Sequence, residues 1–256
     1  MVKKQFLFAY LTLSSLSCIH ASETEQRCLV YDYDDTICST NELHKVKAMD
    51  HEALFSDYIH RNYDELFKLD TTMFETILNI QGNVDQSFLI TNAAMGWLQD
   101  SSDRLHPKTN TYFRFLERIT HSDVVISARD YVNKRARRFK SVLNDHTLWK
   151  YPVFHSTLRS CSEVIVIGDG PAEHRALKLL AQNAEKEGRS VLQKHVWFKQ
   201  KPTIQDLILQ WDALGKMWRY LRMEKAPLNL IWSDDTQTFL YQKPDEDFDM
   251  SSIEGF

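Results

Sequence analysis

The stretch Leu29–Thr36 reads LVYDYDDT. Residues suited to a buried strand run into Asp32, and Asp34 and Thr36 follow at two-residue spacing. The same plan recurs along the chain. Phe88–Ile90 ends at Thr91–Asn92, Val124–Ile126 leads into Ser127–Ala128–Arg129, and Val164–Ile167 leads into Gly168–Asp169–Gly170; a last run, His195–Phe198, precedes Pro202. Runs this short, apolar throughout and rich in β-branched and aromatic residues are expected to be strands covered on both faces, as in a parallel sheet. Helical patterns fill the intervals: Asn41 to about Phe67, Met73–Ile80, Tyr112–Ile119, Tyr131–Leu143, Ala172–Lys186 and Thr203–Tyr220. The alternation predicts an α/β chain, a doubly wound parallel sheet with helices on both faces. In such sheets ligands bind beyond the carboxyl ends of the strands, and every run but the last ends there in polar residues.

With 256 residues, 43% of them hydrophobic, the chain can bury one full-sized core. The expected organisation is a leader over 1–21, a core over 22–222, and a C-terminal segment over 223–256. In that last segment Leu228–Trp232 and Thr238–Tyr241 form a hairpin around Asp234–Asp235, and the acidic stretch after Lys243 is expected to be disordered. The fifty or so residues between Thr36 and Phe88 either hold a small helical cap, within 40–87, or form a long first helix and a surface loop. Lys3 and Lys4, the apolar stretch from Phe6 to about Leu16 and the small residues before Ala21 have the layout of a secretory signal peptide, which predicts a secreted or periplasmic protein, or a cytoplasmic one if the leader is kept as a packed helix. No other segment could span a membrane. The formal charge of −4 offers no broad basic field, so no nucleic-acid cofactor is expected. Without the leader three cysteines remain, Cys28, Cys38 and Cys161; the plain reading is buried thiols, with one pair and one thiol left over as the alternative.

The residues at the strand ends suggest chemistry. Of two carboxylates sharing a pocket, one can attack phosphorus while the other protonates the leaving oxygen and then deprotonates water. Thr91 can donate a hydroxyl to a phosphoryl oxygen, and Asn92 beside it is a second phosphate-binding candidate; helix capping is the alternative for both. Asp169 and Glu173, on a glycine turn entering a helix, can meet at a hard cation such as Mg2+, which takes one or two carboxylates plus water and phosphate oxygens. Lys150, between Trp149 and Phe154, supplies a cation on a buried shoulder.

The ordered set Asp32-x-Asp34-x-Thr36, Thr91, Lys150 and Asp169-x-x-x-Glu173 resembles the four motifs of the haloacid dehalogenase-like superfamily. TNAAMGW (Thr91–Trp97), ISARD (Ile126–Asp130), WK-x-x-x-F (Trp149–Phe154), GDGPAEHRA (Gly168–Ala176) and the KPT after His195–Phe198 resemble one uncharacterised branch of it, over roughly 27–215. The resemblance implies a Rossmann-like core with a small cap or none and a magnesium-dependent phosphohydrolase. Asp32 would form an aspartyl-phosphate, Asp34 would be general acid and base with its carbonyl on the metal, and Thr91 and Lys150 would bind the phosphoryl group. Asp32 and Asp169 would bind magnesium, and Glu173 would act on it directly, through water, or by positioning Lys150. Glu173 stands where the superfamily often has Asp, so the charge is kept on a side chain one methylene longer. The substrate expected is a phosphorylated molecule of unstated identity; an open site suits a large one, or needs an oligomer partner to close it. Arg129 could line the pocket or pair with Asp130 or another neighbour, and His174 is expected to be a bystander. A non-catalytic binding module on this fold and a phosphotransferase to an alcohol are the competing readings.

Overall fold

A computed structural model of the chain describes residues 26–46 and 51–242; the expected leader over 1–21 and the acidic stretch after Lys243 lie outside them. Seven strands form one sheet: β1 (Arg27–Tyr31), β2 (Gln86–Thr91), β3 (Val125–Ser127), β4 (Glu163–Gly168), β5 (Leu192–Trp197), β6 (Leu228–Ser233) and β7 (Thr238–Gln242). Their spatial order is β3-β2-β1-β4-β5-β6-β7, parallel through β6, with β7 antiparallel at the edge. The chain winds outward from β1 in one direction and from β4 in the other, so the doubly wound α/β expectation holds and the switch point lies between β1 and β4. The C-terminal hairpin forms where expected, and it is also part of the sheet: β6 pairs with β5 from Lys194↔Leu228 to Trp197↔Ile231.

Eight α-helices occur among the described residues: α1 (Thr40–Leu43), α2 (His51–Gln81), α3 (Met95–Leu105), α4 (Pro107–Thr120), α5 (Ala128–Lys134), α6 (Lys150–Thr157), α7 (Pro171–Lys186) and α8 (Ile204–Met223). None is long and apolar enough to cross a membrane. Period-two alternation within the strands divides the core. Leu29, Tyr31, Ile165, Ile167 and Val196 meet α2, α4 and α8 on one face. Cys28, Val30, Val164 and Val166 meet Val153, Phe154, Ala176 and Leu177 of α6 and α7 on the other. A strand buried on both sides needs apolar side chains at every position, which is why these runs do not alternate in sequence.

Several helix boundaries differ from the sequence reading. The helices expected at Asn41–Phe67 and Met73–Ile80 are largely one, α2, broken only at Asn62 (φ −124°, ψ 22°), where the Asn62 amide donates to Tyr58 O at 2.9 Å. An Asn side chain that competes for a backbone carbonyl bends a helix in this way. Leu69, Met73, Ile77 and Ile80 of α2 are fully buried in the first core, so this part of the 40–87 stretch packs as a helix of the core layer. The helix expected over Tyr131–Leu143 ends at Lys134, and α3 and α6 were not anticipated. α3 follows the end of β2 and α6 follows a 3-10 turn at His146–Leu148, and both carry mixed polar sequences whose helical form depends on packing.

Cys28 and Cys161 are joined in a disulfide, in place of two buried thiols, and Cys38 is free and buried. The bridge ties β1 to the lead-in of β4 across a separation of 133 residues. Closing so long a loop removes freedom from the unfolded chain, worth about 2–5 kcal/mol. Urea midpoints of the Cys28→Ala/Cys161→Ala variant should fall accordingly; an unchanged midpoint would show that the bridge does not form in the folded protein. Near this end of the sheet the fully buried Lys194 ammonium bonds Glu163 at 2.6 Å, and Glu163 also takes Arg27 at 2.7 Å, joining β1, β4 and β5.

Candidate active site

Asp32 follows β1 directly, and its N–H donates to Ile167 O of β4 at 2.9 Å, carrying the ladder one residue past the strand. Its carboxylate therefore stands at the switch point. The next turn is tight. The Thr36, Ile37 and Cys38 amides all donate to Tyr33 O (3.3, 2.9 and 2.9 Å), and Asp35 sits at φ 51°, the left-handed region that Asp tolerates better than most. Two anchors hold the turn: Tyr33 Oη donates to Ser101 Oγ at 2.8 Å, and the buried Trp211 indole donates to Thr36 O at 2.9 Å while its ring meets Tyr31 and Phe198.

Lys150 opens α6 and is buried. Its Nζ bonds Asp32 Oδ1 at 2.5 Å and also Glu173 Oε1. Glu173 lies in the first turn of α7, after Gly170 as N-cap and Pro171 at the first helical position, where a proline costs no hydrogen bond. It folds back over the glycine turn: a Cβ at Gly168 would lie 2.6 Å from Glu173 Cγ, and one at Gly170 would lie 2.9 Å from Glu173 Oε2. The two glycines are needed for that close approach. Glu173 Oε2 is buried and, among the described residues, has no hydrogen-bond partner.

Burial pushes the Asp32 carboxyl up to about 8; Lys150 opposes that shift, and Glu173 and Asp34 add to it. Asp169 is held well above the carboxylate range, first by burial and then by Asp32 and Glu173. For Lys150 burial disfavours the charge, but Asp32 and Glu173 outweigh it and hold the ammonium firmly protonated. One lysine thus faces three carboxylates, an excess of negative charge that a cation would relieve. Among the described residues no three His, Cys, Asp or Glu side chains converge as a metal group. Magnesium does not need three, since it keeps several waters and takes one or two carboxylates. Asp32 and Asp169 could supply those, and the Glu173 oxygen left without a partner among the described residues could take metal-bound water, so the residues present fit the ion.

The other expected residues have definite partners. Asp34 Oδ1 accepts from Thr40 Oγ1 at 2.8 Å and from Trp97 Nε1 at 3.3 Å. Thr91 ends β2, fully buried, and its Oγ1 accepts from Ala93 N at 3.0 Å, which leaves its own hydrogen to donate. The Asn92 amide donates one N–H to His146 O at 3.1 Å and so fastens the turn that leads to Lys150, with its second N–H left to donate. Arg129 does not pair with Asp130: Asp130 Oδ2 accepts from Met95 N at 2.9 Å and caps α3, and Arg129 is exposed. His174 stacks on the His195 ring and meets that of Trp197 at a tilt.

Sequence reasoning missed Thr40 and Trp97 as partners of Asp34. Trp97 was visible in TNAAMGW, and its ring lies between His44 (5.6 Å) and Phe55 (5.8 Å); Thr40 carried no signal. No protein-family model, no curated protein and no solved structure matches this chain.

Proposed function

We propose that the protein is a magnesium-dependent phosphohydrolase of the haloacid dehalogenase-like kind, with Asp32 as nucleophile. The observation that carries the reading is the buried Lys150 ammonium held between Asp32 and Glu173 at the sheet's switch point. Lysine and carboxylates are rarely buried unless function or pairing demands it. Asp32 Oδ1 is held by Lys150, so Oδ2 is the oxygen that attacks; a bond forms from it to phosphorus as the bond to the leaving oxygen breaks. Asp34 gives its proton to that oxygen, then takes one from the water whose oxygen displaces Asp32 from phosphorus. Thr91 donates to a phosphoryl oxygen, and Lys150, positioned by Glu173, offsets the charge of Asp32 and the phosphate. Magnesium, held by Asp32, Asp169 and the Asp34 carbonyl, would neutralise phosphoryl charge and orient the group. The testing experiment is phosphate release from an aryl phosphate by the full chain, with magnesium and with chelator. Turnover that needs the metal supports the reading; turnover indifferent to chelator counts against it.

Thr40 and Trp97 both donate to Oδ1 of Asp34, which leaves Oδ2 to carry the proton. Trp97→Phe keeps a ring between His44 and Phe55 and removes the N–H. It is expected to slow an alkyl phosphate by about tenfold, a part of what general-acid catalysis contributes. An aryl phosphate, whose leaving group needs little protonation, should slow by less. Equal losses on both would assign Trp97 a packing role only.

A further inference from the structure

The chain carries a formal charge of −4, yet Arg129–Lys140, RDYVNKRARRFK, holds six cations and one carboxylate, a local charge of +5. Arg129, Lys134, Arg135, Arg137, Arg138 and Lys140 are all exposed. Among the described residues none of the six forms an ion pair. The segment's own acid, Asp130, is turned to Met95 N, and the next along the chain, Asp145, is taken by Arg175 and Thr147. Crowded cations without counter-charges repel one another, and the field they create is one that attracts an anion. The chain-wide charge conceals this field because it is local.

Two of the guanidiniums are ordered on rings. Arg135 lies 3.9 Å from the Tyr131 ring centre and Arg138 5.5 Å from that of Phe139, and the two rings meet at 6.0 Å. Tyr131 packs against the core beneath, so this platform has a fixed base. A guanidinium held against a ring keeps N–H groups for phosphate, and the rings themselves are the kind of surface on which bases stack. The patch also adjoins the candidate active site. It begins two residues after Ser127, the strand partner of Thr91, and β3 lies two strands from β1, about 10 Å away. Beyond it the chain returns through the turn held by Asn92 to Lys150.

We propose that the substrate is the terminal phosphate of a single-stranded nucleic acid, whose following phosphates lie along Arg129 to Lys140. This rests on the phosphatase reading above. Six cations over twelve residues exceed what one small phosphate ester can engage. An anionic membrane fits less well: membrane-surface segments add apolar side chains that insert, whereas the large exposed apolar residues lie on α2, α4, α8 and β7, and Tyr131 and Phe139 are half-buried. A duplex fits less well too, because the seven-residue α5 and the turns after it offer no long helix or ribbon for a groove.

The test is fluorescence anisotropy of the full chain with a labelled oligothymidylate of about twelve nucleotides bearing a terminal phosphate. With about four phosphates engaged, affinity should fall roughly 50-fold between about 50 and about 200 mM salt. Arg137→Glu/Arg138→Glu should weaken binding at least tenfold and flatten the salt slope by about 1.4. The same variant should slow release of the oligonucleotide's phosphate while leaving aryl phosphate turnover unchanged. Binding that ignores salt, or is unaltered in the variant, overturns the proposal. Capture by phosphatidylserine vesicles without oligonucleotide binding also overturns it and makes the patch a membrane contact. The two readings fail separately: aryl phosphate turnover without oligonucleotide binding removes only the patch's role, whereas oligonucleotide binding with no hydrolysis of either compound removes the phosphatase reading.

Discussion

Asp32→Asn is expected to reduce phosphate release from an aryl phosphate at least about a thousandfold, the scale on which losing a nucleophile registers, while the fold survives. Asn matches Asp in size, and burial already favours a neutral group here, since it pushes the Asp32 carboxyl up to about 8. Lys150 keeps Glu173 as a partner, so its charge is not abandoned. Stability should therefore stay within about 1 kcal/mol of the parent, as for a neutral replacement that creates no cavity. Loss of turnover without loss of the urea midpoint separates a chemical role from a structural one. A variant that retains a tenth of the parent's turnover would remove Asp32 as nucleophile and the mechanism with it.

Lys150→Met should have the largest effect on stability. The methionine fills most of the volume but leaves Asp32 and Glu173 buried with no ammonium between them. Breaking a buried ion pair by removing one partner costs about 3–5 kcal/mol, most of it the exposed cost of the carboxylate left behind. The deficit should depend on pH with a definite sign. Without Lys150 the folded Asp32 carboxyl lies still further above its unfolded value, so the folded state binds the proton more tightly than the unfolded state does. The loss from this group is then smallest below about pH 8, where Asp32 is protonated in the folded parent and the folded variant alike, and grows as pH rises above that value. Adding Glu173→Leu should recover part of the loss, a non-additivity expected of groups in one network. Urea denaturation at pH 6, 8 and 9.5 checks both points. A deficit under 1 kcal/mol at pH 9.5 would mean that water or a bound cation, and not Lys150, compensates the two carboxylates.

The site's principal groups were legible because each stands at a strand end, where the apolar run stops and the polar residue is forced into view. Asp32, Thr91 and Asp169 all announce themselves in this way. Lys150 did not end a strand; it was found through Trp149 and Phe154, and it proves to open a helix that the local sequence does not advertise. Asn92 was read as a phosphate-binding candidate beside Thr91, and its amide also bonds His146 O, 54 residues away. Partners that distant leave no trace in local pattern. Arg129 and Asp130 show the same limit: adjacent opposite charges suggested a pair, but Asp130 is bonded to the start of α3.

By itself the sequence determined the α/β class, the strands and most of the helices, because burial on both faces or on one stripe imposes a period that can be read within a short window. It also determined which polar residues stand at the carboxyl ends of the strands. Only the tertiary structure decided which of them meet. The pairing of Cys28 with Cys161, the grip of Glu173 on Lys150, the Trp97 donor to Asp34 and, among the described residues, the lack of ion pairs along Arg129–Lys140 are relations that no short window of sequence contains. Such relations follow from how β1, β2 and β4 are ordered side by side. That order is chosen by the packing of the whole core, and no local propensity encodes it.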